Sequence, residues 1–309
     1  MAGLFSQKNT DTTGRLNGTA FAKLVQAKQP IWITGARGLI GNYQVQSALK
    51  YAPGCQVIGL SRAEVDLGDF AAVRRMFREQ TPQIVIHCAA LSKSPECQKN
   101  PSLARKMNVE VTKFLAELAK DIPFFFFSTD LVFDGSKGNY AEDDAVNPLS
   151  VYAETKAEAE RIVQANPAHT VIRTSLNGGI SRAGDRGFNE EYRRAWREGR
   201  TLRLFTDEFR SPIAASVTAQ AVWELAARKA TGIFHVAGSE RLSRWQIGEL
   251  LAARWPQLNP KIEQASLKEY QGAPRPADCS LNCAKAQRML SFKLPGLSEW
   301  LEGNPRESF

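Results

Sequence analysis

The stretch IWITGARGLIG, residues 31–41, decides the fold. IWIT (31–34) is apolar at every position instead of alternate ones, the pattern of a strand buried on both faces, and it runs directly into glycines at 35, 38 and 41. At a strand-to-helix turn, Gly35 permits a tight reversal, Gly38 lets backbone approach a pyrophosphate, and Gly41 lets the helix lie close to the sheet. Free N–H groups at the start of that helix face the phosphate charge. A glycine triplet alone is weak evidence, because many strand–turn–helix junctions use glycine. Its place in the first βα unit of a parallel sheet makes Gly35, Arg37, Gly38, Leu39, Ile40 and Gly41 the expected dinucleotide cradle.

Downstream, QVIGL (56–60), QIVIH (83–87), PFFFFS (123–128) and TVIR (170–173) are likewise apolar throughout. Between them, residues 41–51, 69–80, 102–120 and 151–165 carry apolar side chains at three- and four-residue spacing, so each link is a helical crossover. The predicted fold is α/β, a doubly wound parallel sheet of Rossmann type, with a smaller C-terminal α/β substrate subdomain. Residues 30–174 form the dinucleotide-binding domain. Residues 175–309 are mainly substrate-binding, with some segments returning to the sheet: 175–187 reads as a loop, 201–205 and 232–236 as strands, and 215–229 and 243–255 as helices. Residues 1–29 read as a polar arm, with Lys8, Arg15, Lys23 and Lys28 against Asp11. Within it Thr19 could cap a short helix bearing Phe21, Leu24 and Val25.

With 309 residues, 43% hydrophobic and 23% charged, the chain is neither a disordered tail nor a disulfide-stapled miniprotein. Its net charge of +8 favours anionic partners. The basic residues are dispersed, and the densest group, Arg182, Arg186, Arg193, Arg194, Arg197 and Arg200, reads as a solvated helix face beside the substrate loop, so no nucleic-acid binding is expected. No run approaches the roughly 18 apolar residues of a membrane helix and the start lacks a secretory h-region, which points to the cytoplasm. The five cysteines form no CxxC pair and read as reduced thiols. His87, His169 and His235 lack metal-ligand spacing and read as packing or strand-end groups, so no metal site is expected.

The second strand ends Leu60-Ser61-Arg62, where an NAD-selecting protein usually places a carboxylate, and no acid stands there. Arg62 with Arg37 offers planar guanidinium donors to a 2′-phosphate, so NADP (NADPH) is favoured over NAD. Strand four ends Ser128-Thr129-Asp130, and the next helix opens Tyr152-Ala-Glu-Thr-Lys156, placing phenol and amine on one face a turn apart. An ammonium beside a phenol is expected to lower its pKa from about 10 toward an acid–base range. Thr129 supplies a hydroxyl to the same carbonyl oxygen. YxxxK alone occurs by chance; with a hydroxyl residue at the preceding strand end and the glycine array it reads as a catalytic set.

At residues 30–300 the chain resembles the extended short-chain dehydrogenase/reductase family. Within it STDLVFDG (128–135), VIRTSLNGG (171–179), DEFRSPI (207–213) and RPADCSLNCAK (275–285) are most similar to the dTDP-4-dehydrorhamnose reductase branch. The resemblance implies Thr129, Tyr152 and Lys156 as catalytic residues, and Thr129, Asp130 and Arg275 as substrate contacts. It also implies cofactor contacts from Asp66, Leu67, Ala89, Ala90, Leu91, Tyr152, Lys156, Ser175 and Leu176, beside those read at Ser61 and Arg62, and makes Asn108 a cofactor-site residue that helps hold the active-site backbone. Leu131 stands where these reductases commonly have tyrosine and Leu176 where they commonly have tryptophan. Leu131 is also no acid, so it lacks the glutamate that dehydratases use at this position to eliminate water. The implied activity is NADPH-dependent reduction of a ketone, most simply a 4-keto nucleotide sugar. A nucleotide-sugar epimerase and a non-catalytic dinucleotide-binding regulatory subunit are the alternatives, and a homodimer is left open.

Overall fold

The computed structural model describes residues 29–307 and 309, so the N-terminal arm, with the helix expected around Thr19, lies outside the described residues apart from Gln29. The strands are β1 (Ile31–Thr34), β2 (Val57–Leu60), β3 (Ile84–His87), β4 (Phe124–Thr129), β5 (Thr170–Thr174), β6 (Asn177–Gly178), β7 (Thr201–Phe205), β8 (Phe209–Arg210), β9 (Ile213–Ala214), β10 (Gly232–Val236), β11 (Leu242–Ser243) and β12 (Lys261–Ala265). The helices that matter here are α1 (Leu39–Tyr51), α2 (Phe70–Gln80), α3 (Ser94–Lys99), α4 (Pro101–Arg105), α5 (Val111–Leu118), α6 (Val151–Gln164), α7 (Phe188–Arg197), α8 (Ala215–Ala227) and α9 (Arg244–Arg254).

Six strands form one parallel sheet in the order β10-β5-β4-β3-β1-β2. The order reverses at β1, so the crevice beyond the carboxyl ends of β1 and β3 is the switch point where such sheets take ligands. Register brings Thr34 level with both Leu60 and His87, and Thr129 level with Thr174, so the residues that follow share one edge.

Consecutive side chains leave opposite faces of each strand. Ile31, Ile33, Phe125 and Phe127 pack with Ala48 and Ala52 and with Trp223 of α8, while Trp32, Phe124 and Phe126 pack with Val73, Phe114, Ala159 and Val163. The four consecutive phenylalanines thus divide two to each face of a central strand and are all buried. β10 and α8 lie late in the chain yet belong to this sheet and its covering layer. A separate cluster of Tyr192, Trp196, Leu204, Ile247, Leu251, Trp255 and Trp300 forms beside three small ladders, β6 with β9, β7 with β12 and β8 with β11.

Two local readings change. Residues 102–120 are not one helix: α4 passes through a π-turn, Lys106–Glu110, into α5, and α3 precedes them with Pro95 in its first turn. Periodicity at this spacing cannot register the extra residue that a π-turn inserts. The stretch 175–187 is mostly loop but contains β6.

Candidate active site

Gly35 sits at φ +68°, and a Cβ there would stand 2.8 Å from the Ala89 nitrogen; one on Gly41 would stand 2.3 Å from the Gly35 carbonyl oxygen. Neither position has room for a side chain. Gly38 precedes α1 and makes no side-chain cap for its first N–H groups. This cradle fits a dinucleotide pyrophosphate. Leu39 is buried and Ile40 half-buried, anchoring the helix start, while Arg37 stands exposed at the rim with Arg62.

The reading that no acid stands at the end of β2 needs correcting. A turn from Ser61 brings back Glu64, whose Oε2 accepts from the Ser61 nitrogen at 2.8 Å and its hydroxyl at 2.6 Å. Those bonds, with a smaller contribution from Arg37, hold the Glu64 carboxyl below its ordinary range. Asp66 is exposed and accepts from the Gly68 nitrogen at 2.9 Å, and Leu67 is buried.

Beyond β3, Ala89 and Leu91 are half-buried and Ala90 is exposed. A buried chain of hydrogen bonds supports this segment: Thr34 Oγ1 pairs with His87 Nδ1 at 2.7 Å, His87 Nε2 with Thr112 Oγ1 at 3.1 Å, and Thr112 donates to the Asn108 carbonyl at 2.7 Å. Asn108 lies in the π-turn, accepting from the Leu91 nitrogen at 2.8 Å and donating to the Leu91 carbonyl at 3.1 Å and Thr155 Oγ1 at 3.0 Å. One amide therefore ties the loop after β3 to the helix that carries Tyr152.

That helix, α6, begins at Ser150, whose hydroxyl accepts from the Ala153 nitrogen. Tyr152 lies near the end of β4, where the Thr129 hydroxyl favours the ionised form of its phenol. Lys156 is buried, and Nζ donates to the Phe127 carbonyl at 2.6 Å while lying 3.9 Å from the Phe126 ring centre. Burial pulls its pKa down to about 7.

The expected lowering of the phenol pKa is not what the protein provides. Burial, then the Asp130 carboxylate, push Tyr152 above its ordinary value, and the Thr129 hydroxyl and Arg210 oppose this only in part. The Lys156 amine is directed to a backbone carbonyl, and burial disfavours its charge, so it does not supply the anticipated compensation. A phenol held in this way keeps its proton.

Asp130 is fully buried. Arg210 donates to both of its oxygens, through Nε at 2.6 Å and through Nη2, and the Ser175 hydroxyl donates to Oδ2 at 2.5 Å. Ser175 is thus engaged beside the set, whereas the Leu176 side chain packs toward the C-terminal cluster. Arg275 is one-third exposed and grips Glu208 through two bonds of 2.7 and 2.9 Å; Arg244 reaches the same carboxylate at 3.0 Å. Sequence reasoning missed Glu208, Arg210, Arg244 and Glu64, although DEFRSPI, with Asp207, Glu208 and Arg210 around an apolar phenylalanine, carried charges of both signs in a strand-like stretch.

The family model described as RmlD substrate binding domain matches residues 29–303. The chain belongs to this family. This RmlD-family protein places its glycine cradle and YxxxK helix against one parallel sheet. A dTDP-4-dehydrorhamnose reductase of Sinorhizobium fredii (strain NBRC 101917 / NGR234) is 31% identical, across 86% of this chain and 93% of that protein. The methionine adenosyltransferase 2 subunit beta of Xenopus laevis is 27% identical across 83% and 81%. Among solved structures, a dTDP-4-dehydrorhamnose reductase from Clostridium acetobutylicum superposes with a TM-score of 0.81 at 27% identity, covering 90% of this chain and 98% of that one.

Proposed function

We propose that this protein is a reductase of 4-keto nucleotide sugars that takes its hydride from NADPH. The observation that carries the reading is the meeting of Thr129, Tyr152 and Lys156 at the end of β4, on the same edge as the glycine cradle, in a chain 31% identical to a reductase of that substrate class. The bound nicotinamide supplies the hydride. The Thr129 hydroxyl polarises the ketone oxygen, and Tyr152, kept protonated by its surroundings, donates the proton that oxygen needs. Lys156, one turn along α6 from Tyr152, would hold the ribose of the bound cofactor. Asn108 fixes the loop carrying Ala89, Ala90 and Leu91 relative to α6.

Ser61, Arg62 and Arg37 would hold a 2′-phosphate, which would need the Ser61 donors that Glu64 now occupies. Arg275, presented by Glu208 beside Phe205 and Tyr270, contacts the substrate's anionic portion. The test is oxidation of NADPH and of NADH by the purified protein against a panel of 4-keto nucleotide sugars and simple ketones. Net consumption with a keto sugar is expected; interconversion of sugars without net consumption would make the protein an epimerase instead.

A second reading is favoured by the similarity to methionine adenosyltransferase 2 subunit beta: the protein serves as a dinucleotide-binding regulatory subunit. Copurification with a partner enzyme, together with no turnover across the ketone panel, would select it.

A further inference from the structure

We infer that Tyr43 is a positioning residue for the cofactor: its hydroxyl and ring fix the segment that leaves β5 against the helix of the glycine cradle, so that the nicotinamide end of a dinucleotide is aligned with its pyrophosphate. The inference rests on the reading of the cradle as a dinucleotide site and deepens it. It applies to a reductase and to a dinucleotide-binding regulatory subunit alike.

Two parts of the molecule must keep a fixed relation if one ligand is to span them. One is α1, which starts directly after Gly38. The other is the segment 175–180, which begins beside the end of β4, where the Ser175 hydroxyl donates to Asp130 Oδ2 at 2.5 Å. Asn177 then donates to Thr174 Oγ1 at 2.9 Å and accepts from Thr218 Oγ1 of α8 at 2.7 Å. Three residues later the Ile180 nitrogen donates to the Tyr43 hydroxyl oxygen at 3.2 Å. Tyr43 stands one turn into α1, four residues after Leu39. Its phenol thus joins the cradle helix to a segment that is 137 positions away in sequence.

The two glycines of LNGG make this joint close. A Cβ on Gly179 would stand 2.8 Å from the Tyr43 ring, and one on Gly178 would overlap the ring of Phe309, so the backbone meets an aromatic side chain at two consecutive residues. Asn189 of α7 grips the same place, accepting from the Gly179 nitrogen at 3.3 Å and donating to the Gly179 carbonyl at 2.8 Å and the Phe309 carbonyl at 2.5 Å. Packing this dense passes a displacement on instead of absorbing it. A change at Tyr43 therefore reaches Ser175 and Leu176 through the backbone, without Tyr43 touching substrate or the reacting atoms.

The test separates the two ends of the cofactor. NADPH and 2′-phospho-ADP-ribose, which keeps the pyrophosphate and both riboses but lacks nicotinamide, are titrated against the wild-type protein, Tyr43→Phe and Tyr43→Ala. Tyr43→Phe removes one hydrogen bond and should weaken NADPH by roughly two- to tenfold. Tyr43→Ala removes the ring as well and should weaken it further. The affinity for 2′-phospho-ADP-ribose should be unchanged in both. Amide exchange at Ile180 should quicken in Tyr43→Phe, because its N–H loses its acceptor. Selective loss of NADPH in either variant supports the inference. Unchanged NADPH binding in both overturns it, as does an equal loss of both ligands, the result of general damage to α1. If Tyr43→Ala fails to fold, Tyr43→Phe decides alone. Failure of the wild-type protein to bind either ligand would remove the dinucleotide reading and this inference with it, whereas absence of ketone turnover would remove only the reductase reading, since the comparison is of binding.

Discussion

Lys156 Nζ donates to the carbonyl of Phe127 at 2.6 Å, two residues before Thr129 closes β4, and the ring of Phe126 lies 3.9 Å beneath it. A buried ammonium held by one carbonyl and one ring face is costly, and its pKa falls to about 7 against about 10.4 for an unfolded lysine. Between those values the unfolded chain binds more protons than the folded one, so this group makes stability rise with pH from about 7 to about 10. Lys156→Met should flatten that rise. Urea midpoints for both proteins across this window are the check, and parallel curves would show that the buried amine is not the source.

Tyr152→Phe should lower turnover by roughly 10² to 10⁴ while leaving NADPH binding little changed, because the hydroxyl acts on the ketone oxygen. Steady-state rates with fluorescence titration of the cofactor separate the two effects. Loss of NADPH binding in step with turnover would assign the hydroxyl to cofactor binding.

Glu64 occupies the donors that a 2′-phosphate would use, the Ser61 nitrogen and hydroxyl. Glu64→Gln should tighten NADPH binding by roughly two- to fivefold, the scale of an exposed charge contact, without tightening NADH. Equal gains for both cofactors would count against a seat at the ribose edge.

Gly35 is the position in the cradle least able to change, since φ is +68° and a Cβ would meet the backbone of Ala89 at 2.8 Å. Gly35→Ala should cost at least about 1–2 kcal/mol in backbone strain and weaken NADPH binding as Ala89 is displaced. Denaturation midpoints and cofactor titration report each part. A variant of wild-type stability would mean that the turn can relax.

The sheet was legible because a strand buried on both faces needs apolar residues at consecutive positions, which IWIT and PFFFFS display without reference to anything distant. Glycines 35, 38 and 41 and the spacing of Tyr152 and Lys156 are local patterns of the same kind. The π-turn at Asn108 escaped because one inserted residue barely alters an apolar repeat, though it aims an amide at Leu91 and Thr155. Glu64 escaped because the search stopped at the strand end. The charge pairs are a deeper case: Asp130 meets Arg210 eighty positions later, and Glu208 meets Arg275 sixty-seven positions later. Neither residue type carries a mark of its partner. The ionisation of Tyr152 belongs with these, since spacing set the lysine one turn away while folding buried that lysine, half-buried the tyrosine and put a carboxylate nearby. Periodicity in the chain reports which elements form and which faces they hide; the pairing and desolvation of charges exist only once distant loops have docked, because an electrostatic environment is a property of the assembled interior.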